Sequence, residues 1–297
     1  MDQTTRDRIK ANLFPMAHPS VEPWDGFRWH IGQNGVCDTD REHSSQALAI
    51  DVFGTLALLD SRDRIFNALL RSFDLESSGH WTVELEWPVP NTLLGEPRET
   101  QVDAVARSER FLVFMECKFS ESEPGRCSQP EPLSDGAHKG LRQCSGNYEL
   151  QVNPVNDKSA WCPLTAKGIK YWEHIPGLFG ISSTEVHAPC PFADSRYQWM
   201  RNIVACWAQS RIEKTQPVFL VVYADVPEGP QLPAARLVRS ESWALFKRSI
   251  KPNTVVRELS YLDLIDCALA LHGPDSSTLR ELRGWVEAKV RKIAGST

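Results

Sequence analysis

Long apolar runs are missing from this 297-residue chain, and the longest, such as Pro217–Ala224, are far too short to cross a bilayer. The first residues, Met1–Lys10, are polar and lack the apolar core of a signal peptide. Internal repeats and low-complexity tracts are also absent, which argues against solenoid and fibrous architectures. We therefore expect a soluble protein of the cytoplasm with no membrane partner.

The chain also lacks an excess of positive charge. Its 33 basic residues are outnumbered by 38 acidic ones, giving a net charge of −5 and a pI near 5.9. The long-range field of such a molecule repels phosphates, so any binding of nucleic acid needs a local basic patch. Two segments offer such a basic patch. The first contains Lys139, Arg142, Lys167 and Lys170, and the second contains Arg280, Arg283, Lys289, Arg291 and Lys292. An ordinary solvated surface explains both segments equally well.

No two of the eight cysteines form a Cys-x-x-Cys pair. Cytosolic thiols are kept reduced, so the cysteines are expected to be buried small hydrophobes or metal ligands rather than a disulfide framework. Four of them share one segment, where zinc or an iron–sulfur cluster would supply order: Cys127, Cys144, Cys162 and Cys190. The spacing favours buried thiols without a metal over such a site.

Hydrophobic periodicity predicts one domain with an insert. Residues 1–42 have no sustained period and are predicted to be an irregular lead-in, whereas 43–297 are predicted to form a single domain. Residues 120–191, rich in Pro, Gly, Ser and Asn, are predicted to be a loop-rich insert. Helices are predicted over 47–59 and 65–73, near 168–174, and over 197–212, 242–248, 261–271 and 276–293. Strands are predicted at Trp81–Trp87, Thr100–Arg107, Phe111–Phe119 and Pro217–Tyr223. This order predicts an α/β fold with a mixed central β-sheet flanked by helices.

Charged residues on two of these strands carry the functional signal. Glu116 and Lys118 are two positions apart, so the pleat points both side chains to the same face of the strand. Asp103 lies on the preceding strand, and a tight turn at Ser108–Arg110 would bring it close to Glu116, in a register that the sequence leaves open. Two carboxylates and one lysine are therefore predicted to converge.

Phosphodiester cleavage requires such a group of residues. A hard cation held by oxygen ligands offsets the negative charge that builds up at the phosphate and the leaving oxygen. Asp103 and Glu116 are the predicted ligands of Mg²⁺ or Mn²⁺, with the main-chain carbonyl of Cys117 as a third oxygen. Lys118 is predicted to orient the attacking water or to stabilise the transition state.

Asp103 followed by Glu116-Cys117-Lys118 across a hairpin resembles the PD-(D/E)XK nuclease superfamily of restriction and repair enzymes. Residues 44–49, 53–56 and 197–202 are similar to segments of an uncharacterised bacterial branch described as restriction-endonuclease-like. The departure is Val102, which stands where the superfamily is named for a proline. The resemblance implies a metal-dependent endonuclease-like hydrolase of nucleic acid, usually DNA, with a restriction-endonuclease-like core.

The resemblance also implies supporting residues around the metal. Superfamily members often add a carboxylate from the first helix or strand, and Glu86 is favoured for this role over Glu84 and Asp51. Gln46, Gln198 and Arg201 stand where such proteins carry polar groups near the metal or phosphate, and Arg201 could contact a phosphate through two hydrogen bonds.

Three other interpretations remain open at this point. An Asp followed at a distance by Glu-x-Lys also describes an ordinary ion pair on a solvated strand face. A non-catalytic member of the same fold would bind nucleic acid or act as a scaffold. A metal-cluster protein that senses redox state through the insert is the third.

Overall fold

The computed structural model describes residues 2–32, 35–123, 125–149, 151–152, 159–194, 196–227 and 229–295. Its strands are, in chain order, β1 (Thr82–Val89), β2 (Thr100–Arg107), β3 (Phe111–Lys118), β4 (Gln151–Val152), β5 (Ser159–Ala160), β6 (Gln216–Tyr223) and β7 (Val255–Ser260). Five of them form one sheet in the order β1-β2-β3-β6-β7, and β4 pairs with β5 separately. The first three strands are antiparallel, whereas β3, β6 and β7 run parallel. The predicted α/β fold with a mixed central sheet is confirmed.

Helices cover both faces of this sheet. They are α1 (Gln3–Asn12), α2 (Ser45–Ala49), α3 (Thr55–Leu58), α4 (Arg62–Arg71), α5 (Asn91–Leu94), α6 (Pro163–Ala166), α7 (Tyr171–Phe179), α8 (Tyr197–Glu213), α9 (Pro233–Val238), α10 (Glu241–Arg248), α11 (Tyr261–Leu269) and α12 (Ser276–Ala294). A π-helical turn at Ile50–Gly54 joins α2 to α3, and short 3₁₀ helices cover Pro15–Val21 and Asp38–Asp40. In the described part of the chain, no helix is long and apolar enough to cross a membrane.

Two hydrophobic cores lie on opposite faces of the sheet. The first packs β-strand side chains against α2, α3, α4, α11 and α12, and the second packs them against α7, α8, α9 and α10. Strand β6 contributes to both, with Leu220 in the first core and Phe219 in the second. A strand buried on both faces needs apolar residues at every position, which explains its continuous Val-Phe-Leu-Val-Val run.

The N-terminal segment is more regular than predicted. An irregular lead-in was wrong for Gln3–Asn12, which is helical and is capped by the Asp2 side chain accepting from Thr5 N. Ile9 and Phe14 are buried in the first core. The helix escaped detection because Ile9 is its one buried residue, so it carries almost no apolar period. The domain boundary at residue 43 stays a prediction.

Strand β7 was missed by the sequence analysis for a related reason. It is the edge strand of the sheet, and the adjacent Arg257 and Glu258 interrupt its apolar residues, so no continuous apolar run marks it. The insert contains α6 and α7 as well as the β4–β5 pair, and α7 begins at Tyr171, slightly later than the helix predicted near 168–174.

Candidate active site

The sheet opens between β2 and β3, and this fork positions the acidic residues. Strand β2 pairs with β3 only from Ala104, opposite Met115, to Arg107, whereas its pairing with β1 continues as far as Thr100. Asp103 is therefore the first residue of β2 beyond the β3 ladder, and the register puts it opposite Glu116. Its Oδ2 accepts a hydrogen bond of 2.7 Å from the main-chain N–H of Cys117. The carboxylate thus replaces the ladder bond that β2 no longer makes.

Glu86 brings a third carboxylate into this fork through an unusual backbone conformation. Its φ is +49°, in the left-handed region that non-glycine residues avoid at a cost of about 1–3 kcal/mol. The neighbouring pairs of β1 with β2 are Leu85 with Ala104 and Trp87 with Val102, so Glu86 lies opposite Asp103.

The side chains of both strands change face at this point. Leu85 and Ala104 contact the first core, whereas Trp87 and Val102, two positions away on their own strands, contact the second. A regular strand would keep residues two apart on one face. The reversal turns the Glu86 carboxylate toward Asp103, and Glu86 is 2% exposed.

His30 completes a candidate metal site with these two carboxylates. One ligand atom each from His30, Glu86 and Asp103 lies within 4.8 Å of the others, and His30 Nε2 is 3.1 Å from Glu86 Oε2. Gln46 holds the histidine segment in place, because its Oε1 accepts from His30 N at 2.9 Å and its Nε2 donates to Arg28 O at 2.9 Å. Gln46 therefore supports the site through His30 rather than by facing it.

Glu116 and Lys118 are fixed by α8. Asn202 Nδ2 donates to Glu116 Oε2 at 2.5 Å, and Gln198 Nε2 donates to Glu116 Oε1 at 2.9 Å. Lys118 Nζ is 2.6 Å from Glu116 Oε1, and its side chain is 7% exposed. Gln198 and Asn202 are four residues apart, so one face of the helix supplies both donors. Their i, i+4 spacing was the sequence signal that would have revealed Asn202, whereas nothing in the sequence singled out His30.

The electrostatics of the fork suit a cation. Burial and the charges of Glu116 and Glu86 raise the pKa of Asp103 well above its ordinary value. Burial alone would lower the pKa of His30, but its hydrogen bond with Glu86 and the Glu86 charge outweigh this and raise it to about 9. Carboxylate oxygens with one imidazole form a donor set that fits Mg²⁺ or, better, Mn²⁺. The residues present therefore fit a divalent ion.

The fork faces an open cleft. Asp103 and Glu116 lie in its wall, together with Arg98, Gln198 and Arg201. The half-buried Arg201 has Nε 3.5 Å from Asn202 Oδ1 and makes no salt bridge within the described part of the chain. An extended polyanion could lie in this cleft with a phosphate at the carboxylates.

Comparison with known proteins agrees with this geometry. A family model described as "Restriction Endonuclease associating with ARP" matches residues 26–283. The chain belongs to this family. No curated protein and no solved structure matches it. Its mixed sheet flanked by helices is a restriction-endonuclease-like core, and membership of the REase-ARP family supports a nuclease.

Two of the alternative carboxylates lie outside the site of this REase-ARP chain. Asp51 is fully buried at the π-helical turn, where its Oδ2 accepts from Trp285 Nε1 at 2.9 Å and pairs with Lys289 Nζ at 2.6 Å. Glu84 is exposed and pairs with Arg107 at 2.5 Å. Both have structural partners, which leaves Glu86 as the additional carboxylate at the fork.

The basic residues of α12, one of the two expected phosphate patches, are largely engaged elsewhere. On α12 the cations pair with nearby carboxylates: Arg283 with Asp266 and Glu287, Arg291 with Glu287, Lys289 with Asp51, and Lys292 with Glu42. In the insert, Lys167 Nζ donates to Gln129 Oε1 at 2.7 Å. The cleft arginines are therefore better placed for phosphate contact than α12.

Proposed function

We propose that the chain is a metal-dependent nuclease that hydrolyses phosphodiester bonds of DNA. The observation that carries this proposal is the close group of His30, Glu86 and Asp103, with the Glu116–Lys118 pair next to it, at a cleft whose wall includes His30, Asp103 and Glu116. We propose DNA as the substrate because the family description names a restriction endonuclease.

Asp103, Glu86 and His30 are the proposed closest metal ligands, and Glu116, whose carboxylate lies outside this group, is proposed as a further ligand from β3. Cys117 offers its carbonyl, because its N–H faces the β2 side of β3, and in a strand the carbonyl of a residue points to the same side as its N–H. The carbonyl of Lys118 points the other way, where it accepts from Ala224 N. When bound, Mg²⁺ or Mn²⁺ supplies Lewis-acid stabilisation of negative charge at the phosphate.

Lys118 acts as a fixed donor in this proposal. Its ammonium lies between Glu116 Oε1 at 2.6 Å and Gln198 Oε1 at 3.5 Å, and these contacts leave it one further N–H. That proton can orient an attacking water or stabilise charge on the phosphate oxygens. Because Lys118 is buried against a carboxylate, the charge is held in position before substrate arrives.

Arg201 and Gln198 are the proposed phosphate contacts. Both line the cleft next to Glu116, and the guanidinium of Arg201 can give a phosphate two parallel hydrogen bonds. Both residues lie on α8, so the helix that would contact the phosphate also holds Glu116.

The test is cleavage of supercoiled plasmid and linear DNA by the purified chain with Mg²⁺ or Mn²⁺. Wild type is expected to cut, and Asp103→Ala and Lys118→Ala are expected to lose activity by a factor of at least about 100. Glu84→Ala is the matched control, since Glu84 lies on β1 close to the site but is exposed. Mn²⁺ should also raise the melting temperature of wild type but not that of Asp103→Ala.

Equal inertness of all proteins on single-stranded DNA, duplex DNA and RNA would contradict the proposal. It would support instead a nucleic-acid-binding or scaffold role for the same fold. Cleavage of RNA alone would agree with the proposed metal chemistry but would show that the substrate is RNA rather than DNA.

A further inference from the structure

The four cysteines of the insert converge on one cavity, although they are far apart in the sequence. Cys127, Cys144, Cys162 and Cys190 all line it. No disulfide joins them. The rest of the wall is mainly apolar and aromatic, contributed by Tyr148, Trp161, Leu164, Trp172 and Phe192. Four half-buried cysteines around one apolar space suit a soft metal centre better than four unrelated positions.

The sulfur of Cys144 also accepts a main-chain hydrogen bond from the residue two positions further along the chain. Gly146 N donates to Cys144 Sγ at 3.3 Å. Main-chain N–H groups at the same offset, those of Gln129, Leu164 and Phe192, oppose the rise that burial causes in the pKa of Cys127, Cys162 and Cys190. An N–H···S contact stabilises negative charge on sulfur. A metal-bound thiolate carries such a charge, whereas a neutral thiol does not.

Reactive thiols are a poorer explanation of this group. Burial raises the pKa of Cys127 to about 11 and that of Cys190 to about 12, although main-chain hydrogen bonds oppose the rise.

The separation of the sulfurs argues against a single zinc ion. A tetrahedral zinc with Zn–S bonds of about 2.3 Å brings all four sulfurs within about 3.8 Å of one another. Among these four described cysteines, no three have sulfurs that all lie within 4.8 Å of one another. A polynuclear cluster holds its thiolates further apart, because several metal and sulfide atoms stand between them.

Histidine does not complete the site in place of a cysteine. The ring of His187 packs on Trp172, and its Nε2 contacts Ser182 O at 2.8 Å. His174 packs against Trp207 on α8. Neither histidine lines the cavity.

We propose that Cys127, Cys144, Cys162 and Cys190 bind an iron–sulfur cluster that organises the insert. Two residues connect this cavity with the nuclease cleft, since Tyr171 and Tyr197 line both. Tyr197 begins α8, the helix that holds Glu116. The cluster thereby supports one wall of the cleft, but its presence does not depend on the proposed nuclease activity.

The test is metal and sulfide analysis of the full-length chain purified without oxygen. We expect iron and acid-labile sulfide in comparable amounts and the broad visible absorption of an iron–sulfur protein. Cys144→Ser and Cys162→Ser should each lose most of the iron. Cys267→Ser is the matched control, because Cys267 is exposed on α11, far from the insert in sequence, and this variant should keep its iron.

The wild-type measurement decides the proposal even if the insert variants fold poorly. Absence of iron from the wild type, both as purified and after incubation with ferrous iron and sulfide, would overturn it. So would about one equivalent of zinc per chain without iron, which would instead assign a mononuclear zinc site.

Discussion

His30 Nε2 lies 3.1 Å from Glu86 Oε2, so the N-terminal segment reaches the carboxylates at the fork between β2 and β3. This contact joins a residue of the lead-in to the β-strand carboxylate whose backbone is strained. It places His30, a residue of the N-terminal segment, at the candidate site.

Removal of the His30 imidazole should weaken metal binding. We expect His30→Ala to reduce the affinity for Mn²⁺ by about 10–100-fold, because the ring is either a ligand or the group that orients Glu86. Isothermal titration with Mn²⁺ measures this directly. His43→Ala, at an exposed position, should bind as wild type does, and equal affinities in all three proteins would refute a role for His30.

The Asn202 amide should be needed to position Glu116. Asn202→Asp puts a carboxylate where the amide now donates at 2.5 Å, so two like charges would face each other in a buried position. One carboxyl of this pair acquires a raised folded-state pKa, so the variant should be least stable at neutral pH and should recover stability as pH falls toward 5. Urea unfolding at both pH values checks this, with Asn91→Asp at an exposed position on α5 as the control. A variant whose stability relative to wild type does not change with pH would contradict the contact.

The left-handed conformation of Glu86 should reverse the usual order of alanine and glycine. At φ +49° a Cβ is unfavourable, so Glu86→Gly should be more stable than Glu86→Ala by about 1 kcal/mol. At Glu84, in the same strand, glycine should be the less stable of the two by about 0.5–1 kcal/mol. Both Glu86 variants should lose nuclease activity. Alanine more stable than glycine at both positions would exclude strain at Glu86.

The buried pair of Asp51 and Lys289 should be a major structural interaction. Lys289→Met would leave Asp51 without its cation, at a cost of about 3–5 kcal/mol. Burial already raises the pKa of Asp51, so the folded variant would take up a proton more readily than the unfolded chain. Its stability deficit should therefore shrink as pH falls from 7 toward 5.

Two further variants test this assignment. Asp51→Asn combined with Lys289→Met should recover part of the lost stability, since the unpaired charge is then gone. Lys292→Met, at an exposed pair with Glu42, should leave the melting temperature almost unchanged. A deficit for Lys289→Met that is constant across pH and unrelieved by Asp51→Asn would argue that lost packing, not charge, is responsible.

Local patterns determined much of the fold. Alternation of apolar and polar residues identified β1, a polar turn separated β2 from β3, a continuous apolar run identified β6, and a two-residue spacing put Glu116 and Lys118 on one face. Each of these follows from backbone geometry within one element, which is why neighbours in sequence suffice to reveal it. Polar elements such as α1 and β7 carry little of this signal and were missed.

The sequence by itself therefore determined the class of fold and the chemical types of the residues near Glu116. Tertiary structure decided the rest: that β2 leaves β3 at Asp103, that Glu86 turns toward it, and that His30 and Asn202 come from other parts of the chain. The four insert cysteines likewise meet only in the folded protein. The physical reason is that these contacts depend on strand register, backbone strain and the packing of distant segments, none of which leaves a period in the sequence.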